Sequence, residues 1–218
     1  MVNVELRPSV QPGEPAPDFT LPAVDREGTV SLADYRGRSP LLLAMFRGLW
    51  CPFCRRAIAQ MGVTRQKLQV LDVETLGVVA TTPENARLYF KYRPTRVPLA
   101  ADPELITHRS FGLPKPAVTP ELMQALQSVR GNPTGELPEP LPLAEVSKAL
   151  DRLHGFEPTE TDRQDADRQF PQLKGQVLVD RDGIVRWVNI ECAKEGLAGL
   201  GKFPSDEDLV AAARALAT

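Results

Sequence analysis

Phe46-Arg47-Gly48-Leu49-Trp50-Cys51-Pro52-Phe53-Cys54-Arg55-Arg56 joins an apolar run, Leu41 to Phe46, to an amphipathic one that begins at Pro52. Six apolar residues in a row predict a buried strand. The segment after it predicts a helix from about Pro52 to Leu71, because Ala57, Ile58, Met61, Leu68 and Leu71 recur at helical spacing on one stripe. Proline suits the first helical turn, where its missing N–H goes unused and its fixed φ fits. Cys51 then sits at the helix mouth, beside free backbone N–H groups and the positive end of the helix dipole, both of which favour a thiolate. Cys54 precedes Ile58 by four and Met61 by seven, so it points inward on the same stripe while Cys51 stays exposed.

Working outward, Asp18 to Pro22 and Gly28 to Leu32 flank the turn Asp25-Arg26-Glu27-Gly28 and predict a short β-hairpin. Downstream, Leu76 to Ala80 reads as a second buried strand. Pro83 to Tyr92 reads as a helix capped by Thr82, Val97 to Ala100 as an extended piece, and Glu104 to Phe111 as a short helix ended by Gly112. Gln176 to Asp180 and Ile184 to Ile190, around Arg181-Asp182-Gly183, carry an antiparallel hairpin signal. Ser205 caps a last helix from Asp206 to Leu216. Alternating strands and helices argue for an α/β fold whose central sheet is covered by helices on both faces, mixed once the closing hairpin joins it.

Residues of about 113–175 interrupt this order. They hold a helix around Glu121 to Val129, a Pro-rich tract from Asn132 to Pro142, a helix from Ala144 to Leu153 and the polar stretch Glu157 to Gln169. The strand-rich segments on either side are too short to stand alone, so the expectation is one domain over 1–218 with an insertion.

Composition narrows the function classes. Of 218 residues, 42% are apolar and 25% charged, with a net charge of −2 and no Lys/Arg block to track a phosphate backbone; nucleic acid is not expected as a partner. No apolar stretch has bilayer length and Met1 to Pro8 lacks a secretory pattern, which sets the expectation at the cytoplasm, away from membranes. Three cysteines are too few for a disulfide scaffold, and in a reducing compartment a close pair does redox chemistry or binds metal. His108 and His154 are remote from the pair and no second pair exists, so redox is favoured over zinc, and neither metal nor cofactor is expected.

Around the pair, Trp50 either shields the sulfurs or simply packs. Arg47 is a candidate to lower a thiol pKa or meet developing negative charge, whereas Arg55 and Arg56 read as solvated residues. Cys192, after the last strand, is either a third, resolving thiol or core filling. Pro171 and Lys174, just before the closing strand, are candidates to line the site. His108 and His154 read as surface or cap residues.

Three further stretches carry a family resemblance. Pro15-Ala16-Pro17-Asp18-Phe19-Thr20-Leu21-Pro22 with Val30-Ser31-Leu32-Ala33-Asp34-Tyr35-Arg36-Gly37, then Val97-Pro98-Leu99-Ala100-Ala101-Asp102-Pro103 with Ser110-Phe111-Gly112, then Val177 to Arg186, occur in the order found in the alkyl hydroperoxide reductase / thiol-specific antioxidant family. The chain resembles these peroxiredoxins and their redoxin relatives, which have a thioredoxin fold. The resemblance implies an antioxidant thiol oxidoreductase that reduces hydroperoxides through Cys51 and Cys54, with a thioredoxin-like or low-molecular-weight thiol as reductant, and assembly as a homodimer is among its expectations. A protein disulfide reductase is the rival enzyme, and a non-catalytic binding protein on the same fold the rival from another class. The family's Pro-x-x-x-Thr-x-x-Cys, laid on this chain, puts Arg47 at the Pro, Cys51 at the Thr and Cys54 at the peroxide-attacking Cys. Lys174 stands nearest to the family's Arg before the closing strand, a poorer fork for a pair of oxygens. Residue chemistry thus points to Cys51 as the attacking sulfur and the overlay to Cys54; both stay open.

Overall fold

The computed structural model describes residues 8–216. Its centre is β3 (Leu41–Phe46), buried along its whole length. Alternation along this strand supplies both faces of the sheet. Leu42, Ala44 and Phe46 pack with Ile58, Met61 and Leu68 of α1 (Pro52–Gln69), while Leu41, Leu43 and Met45 pack with Phe19, Leu21, Val30 and Phe111. Each large side chain buried this way contributes roughly 1.5–3 kcal/mol.

Parallel neighbours β4 (Glu74–Val79) and β5 (Leu99–Ala101) extend the sheet on one side of β3. On the other side β8 (Gly175–Val179) runs antiparallel to β3 and β9 (Val185–Ile190) antiparallel to β8, giving the order β5-β4-β3-β8-β9. The sheet is therefore mixed, as expected. The hairpin β1 (Thr20–Pro22) and β2 (Thr29–Ser31) lies outside it, tied on by bridges at Pro15–Ile184 and Ala23–Ala100. It covers one face together with the end of α3 (Ile106–Ser110); α1 and α7 (Asp206–Arg214) cover the other. α2 (Pro83–Tyr92) links β4 to β5 and starts at the Thr82 cap. Gly112 closes α3 with φ +68°, where a Cβ would also stand 2.4 Å from the Pro8 carbonyl oxygen. Among the described residues no helix is long and apolar enough to cross a membrane.

Some boundaries move for local reasons. α1 stops before Leu71 because Asp72 turns the chain at φ +60° into β4. α3 starts at Ile106 rather than Glu104, since the Asp102 carboxylate accepts from the Ile106 and Thr107 N–H groups.

Segment 113–175 holds α4 (Pro120–Ser128), the two-residue pair β6 (Arg130–Gly131) and β7 (Leu141–Pro142), α5 (Leu143–Leu153) and α6 (Glu160–Gln169). Its α5 buries Leu143, Val146 and Leu150 in the α1 core. The helix α6 has no apolar stripe, which is why periodicity leaves Glu157 to Gln169 as an irregular polar stretch. Its inward face is Asp162, Asp165 and Gln169, and a capping box between Thr159 and Asp162 starts it. Asn85 Nδ2 of α2 donates to Asp162 at 2.8 Å, and Thr159 donates back to the Asn85 amide oxygen at 3.0 Å. Thr159-Glu160-Thr161-Asp162 was the available signal.

Candidate active site

Where β3 ends, the chain runs Arg47 to Trp50 and enters α1 with Cys51 as N-cap, at φ −86° and ψ 109°, and Pro52 at the first helical position. The cap is the thiol itself. Cys51 Sγ accepts from the Cys54 N–H at 3.3 Å and from Arg47 Nε at 3.4 Å. Cys54, three residues on, lies on the same helical face and within the α1 core.

Neither sulfur is open to solvent: Cys51 and Cys54 are each 1% exposed. For Cys51 this corrects the expectation of an exposed thiol at a helix mouth. The reason is the 113–175 segment, which supplies Pro116, Leu122, Leu126, Leu143 and Ser147 to the walls of a cavity of about 200 Å³. Cys51, Arg47, Trp50, Phe53, Pro171 and Cys192 face the same cavity.

Electrostatics divide the pair. Burial pushes the Cys51 thiol up, but its hydrogen bond with the Cys54 side chain and the charges of Arg47 and Lys174 outweigh this and bring it down to about 5. Burial and the Cys51 sulfur together hold Cys54 well above the ordinary thiol range. At neutral pH the arrangement is one thiolate, Cys51, hydrogen-bonded by one thiol, Cys54.

Arg47, 5% exposed, reaches further than its sulfur. It donates from Nη1 to the Gln172 carbonyl at 3.0 Å and forms an ion pair with Glu191, 3.0 Å to Oε2 and 3.2 Å to Oε1. Lys174, 1% exposed, donates to the Gly201 carbonyl at 2.9 Å and stands 3.6 Å from Glu191. Lys174 thus acts on the sulfurs at one remove, through charge. Burial would push the Glu191 carboxyl up, yet Arg47 and Lys174 hold it below the usual carboxylate range.

Trp50 donates from Nε1 to Gln169 Oε1 at 2.9 Å, and the same oxygen accepts from the Gly48 N–H at 2.7 Å. The Gln169 amide in turn donates to Ala80 O. One glutamine of α6 therefore fastens the Cys-x-x-Cys loop to β4 and to the covering segment.

Cys192 takes φ +65°, unusual for a residue with a Cβ, and lines the Cys51 cavity. Burial and the neighbouring Glu191 push its thiol up to about 11, which makes it a weak nucleophile at neutral pH. Pro171, whose bond from Phe170 is cis, lines the cavity; Pro98 does not.

Arg55 corrects the expectation of a solvated residue. It is 7% exposed, donates to the Leu49 carbonyl, pairs with Asp151 of α5 and stacks over Phe156 at 3.6 Å. Arg56 is half-buried, beside Glu136 at 3.4 Å. His108 is wholly buried rather than a surface residue, and burial pulls it down to about 4 and leaves it neutral. His154 caps the C-terminus of α5 as expected. Among the described residues no group of three or more His, Cys, Asp or Glu is placed to hold a metal ion.

Sequence reasoning missed Glu191, Gln169 and Gln172. Glu191 follows an apolar strand and adjoins Cys192, and Gln169 ends a polar stretch. A lone polar residue in either place carries no signal of the partner it will meet more than a hundred residues away.

Solved structures share this architecture at low identity. A reduced 2-Cys peroxiredoxin from Plasmodium vivax superposes with a TM-score of 0.61 at 15% identity, over 95% of this chain and 82% of that one. Peroxidoxin BcpB from Mycobacterium tuberculosis gives 0.58 at 13% identity, over 95% and 98%. A protein described as a thiol:disulfide interchange protein DsbE from Chlorobium tepidum gives 0.50 at 20%, over 94% and 99%. No curated protein sequence matches the chain. The AhpC/TSA family model covers residues 12–188, through the hairpin, the Cys-x-x-Cys helix and the closing strands alike, and the chain belongs to that family.

Proposed function

We propose that the chain is a thiol peroxidase, in which the Cys51 thiolate attacks a hydroperoxide and Cys54 resolves the product. One observation carries this reading: Cys51 Sγ, held by Arg47 Nε and the Cys54 N–H, faces a partly open, mainly apolar cavity of about 200 Å³. A small hydroperoxide fits such a space. A disulfide presented on a folded protein does not reach a sulfur walled by α4, α5 and Pro171.

The Cys51 thiolate attacks the terminal oxygen of ROOH, forming an S–O bond and breaking the O–O bond. Charge moves from sulfur to the leaving alkoxide, where the Arg47 guanidinium offsets it. The Cys54 thiol supplies the proton that makes ROH, and becomes a thiolate facing the Cys51 sulfenic acid. Attack of Cys54 on that sulfur closes the Cys51–Cys54 disulfide and expels hydroxide, which takes up a proton to form water. Thiol exchange with a small thiol that enters the same cavity returns the dithiol, a step that suits the reducing cytoplasm. In this reading Arg47 replaces the family's Pro and the Cys51 sulfur its Thr, so the attacking sulfur lies one helical turn earlier than the overlay places it.

Rapid mixing with cumene hydroperoxide, followed by tryptophan fluorescence and by dimedone trapping of sulfenic acid, tests the assignment. Wild type and Cys54→Ser should oxidise far faster than free cysteine, with trapped sulfenic acid at Cys51 in Cys54→Ser, and Cys51→Ser should be inert. Oxidation no faster than free cysteine, with turnover of a protein disulfide, would replace the peroxidase by a disulfide reductase. If neither substrate reacts, a binding protein is left.

A further inference from the structure

We propose that Glu191 is the positioning residue of the dithiol site: it aims the Arg47 guanidinium at Cys51 and so sets the thiolate. The inference rests on the reading of Cys51 as the reactive thiolate.

Glu191 stands just past the end of β9 with its side chain fully enclosed. Both of its oxygens are occupied by fixed donors. Oε1 accepts from the Gly201 N–H at 2.7 Å and from Arg47 Nη2 at 3.2 Å, while Oε2 accepts from the Lys174 N–H at 3.3 Å and lies 3.0 Å from Arg47 Nη1. Two backbone N–H groups therefore hold the carboxylate, and the carboxylate holds the guanidinium through both terminal nitrogens. A guanidinium gripped at two corners has one plane and one direction left for its third edge. That edge is Nε, which meets Cys51 Sγ at 3.4 Å.

The charges form a closed set. Arg47 and Lys174 bring two positive charges into a dry site, and Glu191 and the Cys51 thiolate bring two negative ones. The other groups facing the set are neutral: the Cys54 thiol, the Cys192 thiol on the cavity wall, and His108, which faces Arg47 from α3. Without Glu191, two buried cations repel each other with one carbonyl each, of Gln172 and Gly201, left to hold them, and the guanidinium pivots about its single remaining bond away from the sulfur.

Two effects of Glu191 on Cys51 oppose each other, which makes the inference testable. Its negative charge alone disfavours a thiolate nearby; its grip on Arg47 favours one. The geometry assigns the larger effect to the grip, because Arg47 Nε meets the sulfur directly at 3.4 Å whereas the carboxylate makes no hydrogen bond to it and acts on it only as a more distant charge.

The test titrates the Cys51 thiolate by its absorbance at 240 nm and by iodoacetamide alkylation at pH 6, in the reduced full-length protein, with Cys51→Ser as baseline. Glu191→Asp keeps the charge but draws the oxygens back by a methylene; Glu191→Gln keeps the length but removes the charge. The thiolate midpoint should rise by about one unit or more in both, and alkylation at pH 6 should slow by about twofold for a one-unit rise and about tenfold for a two-unit rise. Acetate added to Glu191→Ala should recover part of the alkylation rate. An unchanged midpoint in Glu191→Asp, or a fall in Glu191→Gln, overturns the proposal, since either result means that charge alone acts. If Glu191→Ala does not fold, as judged by circular dichroism, the Asp and Gln variants still decide. Both readouts are independent of peroxide, so a failed peroxidase assignment shows as absent hydroperoxide turnover with the Glu191 shifts intact.

Discussion

The turn from β3 into α1 and the segment 113–175 meet at one cavity, yet they are built by opposite means. The turn is local and apolar: a six-residue buried strand, a proline in the first helical turn, and a sulfur that caps the helix it starts. The segment is anchored at long range, by Leu143, Val146 and Leu150 of α5 in the α1 core and by polar contacts, with Gln169 on the Gly48 N–H and Trp50, Asp162 on Asn85, and the Gln172 carbonyl on Arg47. Local structure places the sulfur, and distant polar contacts decide what the sulfur sees. A thiol at a helix N-cap is only predisposed to ionise; the hydrogen bond with Cys54 and the charges of Arg47 and Lys174 overcome the upward push of burial and bring it to about 5.

Substitutions that separate the two regions follow in order of effect. Cys51→Ser should abolish hydroperoxide turnover, whereas Cys54→Ser should keep the first oxidation and stop at trapped sulfenic acid; mass spectrometry after dimedone treatment reads the difference. Arg47→Met should come next, because it leaves Glu191 buried beside Lys174 alone. A loss of about 3–5 kcal/mol in urea unfolding is expected, together with a thiolate midpoint raised by more than one unit.

The wild-type pH profile supplies the sign for that shift. A thiol whose folded pKa is depressed stabilises the fold fully above the unfolded thiol value near 9, and that contribution is lost as pH falls through about 5. Cys51 alkylation should accordingly stay flat from pH 8 to pH 6 and fall about tenfold per unit well below pH 5. A midpoint near the free-thiol value would break the contrast between the two regions.

Leu150→Ala removes a wholly buried contact of α5 with the α1 core and should cost about 2–5 kcal/mol in urea unfolding. Gln169→Leu is the smallest of the five. It releases the clamp on the Cys-x-x-Cys loop at a cost of about 1–3 kcal/mol for the unpaired Gly48 and Trp50 donors. It should speed alkylation of Cys51 by a bulky maleimide while leaving the thiolate midpoint within about half a unit of wild type. Equal rates for the bulky reagent in wild type and variant would mean that the segment does not restrict access.

Much of the frame was legible in the residues. The strand at Leu41 to Phe46, the helix from Pro83 to Tyr92 and the closing hairpin follow from apolar runs, caps and turn chemistry that act within a few residues. Helix α6 was hidden because its buried face is polar, so neither period nor hydrophobicity marks it. Arg55 and His108 were misjudged for a related reason. Charged and titratable residues are expected in water, and only the arrival of Asp151, Phe156 and the sheet face shows that these two are enclosed.

By itself the sequence determined that two sulfurs three residues apart stand at a strand-to-helix junction, because strand, proline and helical stripe are all encoded within thirty residues. The tertiary structure decided that both are buried, that Cys51 carries the negative charge, and that Glu191, Arg47 and Lys174 meet around it. The Cys54 and Arg47 contacts on the Cys51 sulfur span three and four residues, but the pairing that holds Arg47 in place, on Glu191 and the Gln172 carbonyl, spans more than a hundred, in a low-dielectric site where a few ångströms between charges decide the outcome.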